Sequence, residues 1–124
     1  MKKFTWGRAL ANTFDYTSTA NKTKWLKLRD FVLTLDVRPR FRSKILETGY
    51  VSKWDGEWYY HLIGESAINE GNFKEIEWFE LAGSALEDHT IIERISSIGF
   101  CGEFVDGNLR LYGYIKNGEF VPKL

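Results

Sequence analysis

The chain has 124 residues, 44% hydrophobic, 27% charged and 16% aromatic, which excludes a disordered tract and fits one domain around one core. Its formal net charge of zero conceals a sorted pattern: residues 1–50 carry 11 Lys/Arg and 4 Asp/Glu, a net of +7, whereas residues 51–124 carry 6 and 13, a net of −7. A single cysteine, Cys101, excludes an internal disulfide and a cysteine-built metal site, and points to a reducing compartment.

Residues 1–20 read as an N-terminal arm or short helix, with Phe4, Trp6, Leu10 and Phe14 loosely on one face. The basic start is not followed by the apolar run of a secretory leader, and no stretch reaches the length of a membrane span, so a cytoplasmic protein without membrane contact is expected. Residues 21–124 read as one domain. A helix is expected from Asn21 to about Leu35, because Asn21 or Thr23 can accept a free first-turn N–H and Trp25, Leu28, Val32 and Leu35 share a face. Pro39 disfavours helix at Arg38. From Val37 to Leu46 the period becomes two, which predicts a strand with Arg38, Arg40, Arg42 and Lys44 on one side.

Tyr50 to Ile63 reads as a hairpin turning at Asp55-Gly56, a pair that tolerates positive φ. A polar loop follows, then a strand from Lys74 to Leu81 whose alternation slips at Trp78-Phe79, the mark of a bulge or of burial on both faces. Ser84-Ala85-Leu86-Glu87 has the spacing of a capping box and predicts a helix bearing Ile91, Ile95 and Ile98, closed by Gly99. Asp106-Gly107 and Asn117-Gly118 then punctuate a meander of strands at Glu103–Val105, Asn108–Ile115 and Glu119–Val121. The expected fold class is α+β: a single two-layer domain, a mostly antiparallel sheet of five to seven strands with two main helices on one face.

Three surfaces could carry a function. The basic strand face could track phosphates, since same-face side chains recur about every 6.6 Å along a strand, or it could be a solvated edge. The acidic segment is the second: Val51 to Asp106 holds 12 Asp/Glu against 3 Lys/Arg, interleaved with aromatic residues. Carboxylates beside rings can occupy a site built for nucleic acid, with Trp54, Asp55, Glu57, Tyr59, Glu75 and Glu77 as the expected contacts and charge complementarity speeding the encounter. Third, Glu57 and His61 on one strand face, with Arg42 as anion clamp, would suffice for a small ribonuclease. Tyr112 and Tyr114, on the strand face of Arg110, read either as an outward patch or as core tyrosines with paired hydroxyls. Only His61 and His89 offer imidazole ligands, 28 residues apart, and no phosphate-cradling loop or nucleophile elbow occurs, so no metal and no cofactor is expected.

Asn21-Lys22-Thr23-Lys24-Trp25, Arg38-Pro39-Arg40-Phe41-Arg42, Ile76-Glu77-Trp78 and Leu111-Tyr112-Gly113-Tyr114 flank the distinctive block Trp54-Asp55-Gly56-Glu57-Trp58-Tyr59-Tyr60-His61. Together these segments, spanning about residues 21–115, resemble a family of small bacterial proteins associated with toxin–immunity loci, including immunity proteins of contact-dependent growth inhibition. The resemblance implies a protein without chemistry of its own that binds one cognate toxin domain and blocks it. The leading expectation is thus a non-enzymatic immunity protein covering the active site of a toxin, a nuclease by charge. The alternatives are a nucleic-acid-binding module using Arg38, Arg40, Arg42 and Lys44, or the ribonuclease.

Overall fold

In the computed structural model, which describes residues 15–58 and 72–124, the chain runs β1 (Tyr16–Ser18), α1 (Lys22–Val32), β2 (Arg40–Ile45), β3 (Ile76–Ala82), α2 (His89–Ile98), β4 (Cys101–Val105), β5 (Asn108–Tyr112) and β6 (Tyr114–Lys116). Two 3₁₀ turns, Asn72–Glu75 and Ser84–Glu87, precede β3 and α2. The strands form two antiparallel sheets, one of four in the order β2-β3-β5-β4 and one of two, β1-β6. This is the expected α+β architecture, with the six strands divided between two sheets.

The hydrophobic pattern places α1. Trp25, Leu28 and Val32 are fully buried and meet Phe79 and Leu81 of β3, Leu109 and Leu111 of β5, Ile95 of α2 and Phe100 in one core. The Trp25 ring stands 4.8 Å from that of Phe100 and 5.9 Å from that of Phe79. Asn21 caps α1, its Oδ1 accepting the Lys24 N–H at 3.0 Å. Arg38 lies outside β2, contrary to the expected four-cation stripe. Its guanidinium donates to the carbonyls of Leu33 and Leu35 at 2.9 and 3.1 Å, satisfying acceptors just past the end of α1.

The expected capping box at Ser84 does not form. Ser84–Glu87 is a 3₁₀ turn entered from Gly83 with no side-chain cap. Asp88 is extended and caps α2 instead, its Oδ1 accepting the Thr90 N–H at 2.9 Å and the Thr90 hydroxyl at 2.6 Å. These bonds hold the Asp88 carboxyl below its ordinary pKa, the Thr90 hydroxyl being the largest cause. Gly99 ends α2 in the left-handed region, φ 101°, as its position predicts.

Asp55-Gly56 is not the tip of a hairpin. The chain turns at Gly49, φ 75°, and residues 51–55 return antiparallel along the outer edge of β2. Phe41 and Asp55 exchange both backbone hydrogen bonds, at 2.8 and 2.9 Å. Trp58 then enters the core rather than the surface, its ring 4.7 Å from Phe41 and its Nε1 donating to Pro39 O at 2.7 Å. Asp106-Gly107 does make a tight turn between β4 and β5, both residues with positive φ.

β5 ends at Tyr112, and Gly113 lies close against the start of β3, its N–H donating to Glu77 O at 2.8 Å. A Cβ there would lie 2.3 Å from Ile76 O and 3.3 Å from the Trp25 ring. The chain leaves Gly113 to pair β6 with β1, so Tyr112 and Tyr114 belong to different sheets and are not one patch. No strand forms at Glu119–Val121. Instead the segment 122–124 lies against the outer edge of β4, with Gly102 N–H donating to Pro122 O and Leu124 N–H to Phe100 O.

Candidate recognition surface

β2, β3, β5 and β4 turn alternate residues toward the helices and away from them. The register sets Arg42, Glu80, Arg110 and Glu103 side by side across the sheet, on the face opposite the core. Glu80 is the one buried charged residue among those described, 1% exposed. A carboxylate so deep in a sheet requires cations, because burying an unpaired charge is prohibitively costly. Arg42 Nε donates to its Oε1 at 2.7 Å, and Arg110 Nη2 reaches its Oε2 at 3.4 Å.

Two indole rings frame this ion cluster. The Arg42 guanidinium carbon lies 4.6 Å from the Trp54 ring centre and 5.8 Å from that of Trp78. Arg110 sits 4.0 Å from Trp78, and Arg40 sits 5.4 Å from Trp54. These are cation–π distances. Trp54 reaches the cluster because residues 51–55 return beside β2. Trp78 reaches it by position on β3.

At the next position Tyr112 donates its hydroxyl to Glu103 Oε2 at 2.6 Å. Burial, then the bond to Glu103, push the Tyr112 phenol up to about 12, partly offset by nearby Arg110. Along β2, Lys44 pairs with Glu77 at 3.4 Å. The register slips between Lys44 and Ile45, which leaves Glu77 without an opposite residue. The slip and the burial of Trp78, Phe79 and Glu80 together account for the broken alternation of this strand.

The two surfaces that sequence separated by sign are one surface here. Trp54 stacks on Arg40 and Arg42, and Glu77 binds Lys44. The basic half of the chain supplies β2 and the acidic half supplies β3, and Arg42 with Glu80 and Lys44 with Glu77 pair across the two strands. Asp55 and Glu57 are exposed near its rim, the Asp55 Oδ1 accepting the Glu57 N–H at 3.0 Å. Glu75 ends the 3₁₀ turn before β3. Tyr59 and His61 lie outside the described residues, so the Glu57/His61/Arg42 trio is not placed. The sequence places Arg110 and Tyr112 on one strand face but does not join them to Trp78 or Glu80. The usable signal was Glu80 between Phe79 and Leu81, a lone carboxylate inside an apolar strand. Among the described residues no group of three or more His, Cys, Asp or Glu could hold a metal ion, and no helix is long and apolar enough to cross a membrane.

A family model described as "Family of unknown function (DUF6678)" matches residues 8–118. No curated protein and no solved structure matches the chain.

Proposed function

The chain belongs to the DUF6678 family, and we propose that it acts by binding another protein, a cognate toxin domain that it neutralises by covering the toxin's active surface. One observation carries the binding half of this reading: Trp54, Trp78, Arg40, Arg42 and Arg110 are gathered around one buried carboxylate on the sheet face opposite the helices. Trp, Tyr and Arg dominate the energetic centres of protein interfaces, and here Trp54 lies beside Arg40 and Arg42 at cation–π distance before any partner arrives. The toxin half is supported by the resemblance of residues 21–115 to a family of small bacterial proteins associated with toxin–immunity loci.

The same geometry argues against a phosphate track. Arg38 serves the end of α1, Arg42 serves Glu80 and Lys44 serves Glu77. A polyanion laid along β2 would meet carboxylates as often as cations, and little counterion release would favour it.

The test is growth rescue. The neighbouring genes are searched for a toxin domain, the chain is co-expressed with any that is found, and binding is measured on the purified pair. Restored growth and a stoichiometric complex are expected, with no cleavage of tRNA, mRNA or plasmid by the chain alone, with or without divalent metal. Failure to bind or protect, or salt-sensitive binding to RNA or DNA, would overturn the reading.

A further inference from the structure

The charged row across the sheet alternates in sign. Arg42, Glu80, Arg110 and Glu103 stand on four neighbouring strands, β2, β3, β5 and β4, and read +, −, +, − in that order. A row of one sign repels a copy of itself. An alternating row does not: turned end for end it reads −, +, −, +, and each position meets its opposite. A twofold axis parallel to the strands performs this turn between two sheets packed face to face. It sets Arg42 against Glu103 of the second copy, twice by symmetry. The neighbouring row, Lys44, Trp78, Tyr112 and Cys101, then sets Lys44 against the second copy's Cys101, so neither row opposes like charges. The ends of the charged row can be reached, because Arg42 keeps 30% of its side chain in solvent and Glu103 is half-buried.

From this we infer that the sheet face pairs with the same face of a second copy of the chain, and that this dimer is the resting form from which the toxin domain displaces one copy. Charge complementarity selects the occupant. Lys44 is matched by Glu77, and Asp55 and Glu57 flank Gly56 beside the Arg40 side chain, so the face as a whole steers neither a polyanion nor a strongly basic protein. It is complementary to its own reverse. The inference rests on the proposed protein-binding role of this face and adds a regulation to it. Each chain in a dimer hides the surface of the other, so the apparent affinity for the toxin falls as the chain's own concentration rises above its dimer dissociation constant.

Sedimentation equilibrium of the full chain, from about 1 μM to about 1 mM, should show a monomer–dimer equilibrium. Glu103→Arg turns two symmetric contacts from attraction to repulsion and should weaken the dimer about a hundredfold, about tenfold for each contact. Glu103→Gln should weaken it less. Circular dichroism confirms that both variants are folded. A second readout needs no variant, because Cys101 is the chain's single thiol. A short amine-to-thiol cross-linker should give covalent dimers on a denaturing gel, with Lys44 of one copy joined to Cys101 of the other in the digested band. A chain that stays monomeric throughout the range, a dimer as tight in Glu103→Arg as in wild type, or covalent dimers lacking the Lys44–Cys101 peptide would overturn the inference. So would a toxin that binds the intact dimer. If the chain is monomeric and still rescues growth, self-pairing fails and the protein-binding role stands. If it dimerises through this face and no toxin is neutralised, self-pairing stands and the toxin reading fails.

Discussion

Lys24 Nζ lies 2.9 Å from the carbonyl oxygen of Gly99, so a cation near the start of α1 closes the carbonyl end of α2. The same amine reaches Thr19 O at 3.4 Å, which ties the approach to α1 and the end of α2 to one ammonium group. Cations are favourable at helix C-termini, where the last carbonyls point outward unpaired. Lys24→Met should cost about 1 kcal/mol of stability. Urea unfolding measures this. Asn21→Ala, which removes the cap of α1, should cost a similar amount, about 1 kcal/mol. Wild-type midpoints in both variants would mean that the two helix ends are satisfied by water.

Glu80 is expected to matter more than any surface pair. Glu80→Ala leaves two guanidinium groups facing each other over a partly buried site, and should cost about 3 kcal/mol. Replacing the trio together, Arg42→Met with Glu80→Leu and Arg110→Met, should recover most of that loss, since buried ion clusters often give way to apolar packing without penalty. The triple variant should fold and lose partner binding. Chemical denaturation combined with the rescue assay separates the two effects. A triple variant that still protects would place recognition elsewhere.

Gly113→Ala should be among the most damaging single-methyl changes in the chain. The added carbon would fall 2.3 Å from Ile76 O, a backbone atom of the central strand that cannot swing aside. Gly113 also donates its N–H to Glu77 O and accepts from Thr19 N–H. A loss of about 3 kcal/mol is expected. Thermal unfolding would show it, and an unchanged melting curve would disprove the close approach.

Tyr112 should be among the last of the six tyrosines to ionise, because its phenol is pushed up to about 12 in the folded chain. Its folded value lies above the ordinary 10.0, so the stability it contributes is fully present below pH 10 and is lost as pH rises toward 12. Tyr112→Phe should therefore flatten the alkaline end of the stability curve. Tyr16 and Tyr114, both raised mainly by burial, act in the same direction and leave a residual slope. Ultraviolet titration of wild type and variant checks the order.

Much of the frame was legible because it depends on local rules. The periodicity of Trp25, Leu28 and Val32, the alternation around Phe41 and the αL position of Gly99 each found their expected place. The errors have a common cause: tertiary context overrode a local signal. The cap was expected at Ser84, but the extended Asp88 supplies it. The turn was expected at Asp55-Gly56, but the chain turns at Gly49, and residues 51–55 hydrogen-bond to β2. The recognition surface was less legible because it joins residues 30 and 38 positions apart in sequence: Glu80 to Arg110, and Arg42 to Glu80. Only strand order brings them together, and composition does not encode strand order.

The irregular segments that flank the four-stranded sheet constrain how it can be approached. Residues 51–55 occupy the backbone groups along the outside of β2, and residues 122–124 occupy part of the outside of β4. A visiting chain therefore finds no vacant ladder beside β2, where the arginines lie, and cannot join there as an additional strand. It must be held by side chains alone. Strand addition tolerates almost any sequence, whereas a contact made through side chains is rewritten by one or two substitutions. Such a surface can change its partner while its scaffold stays the same.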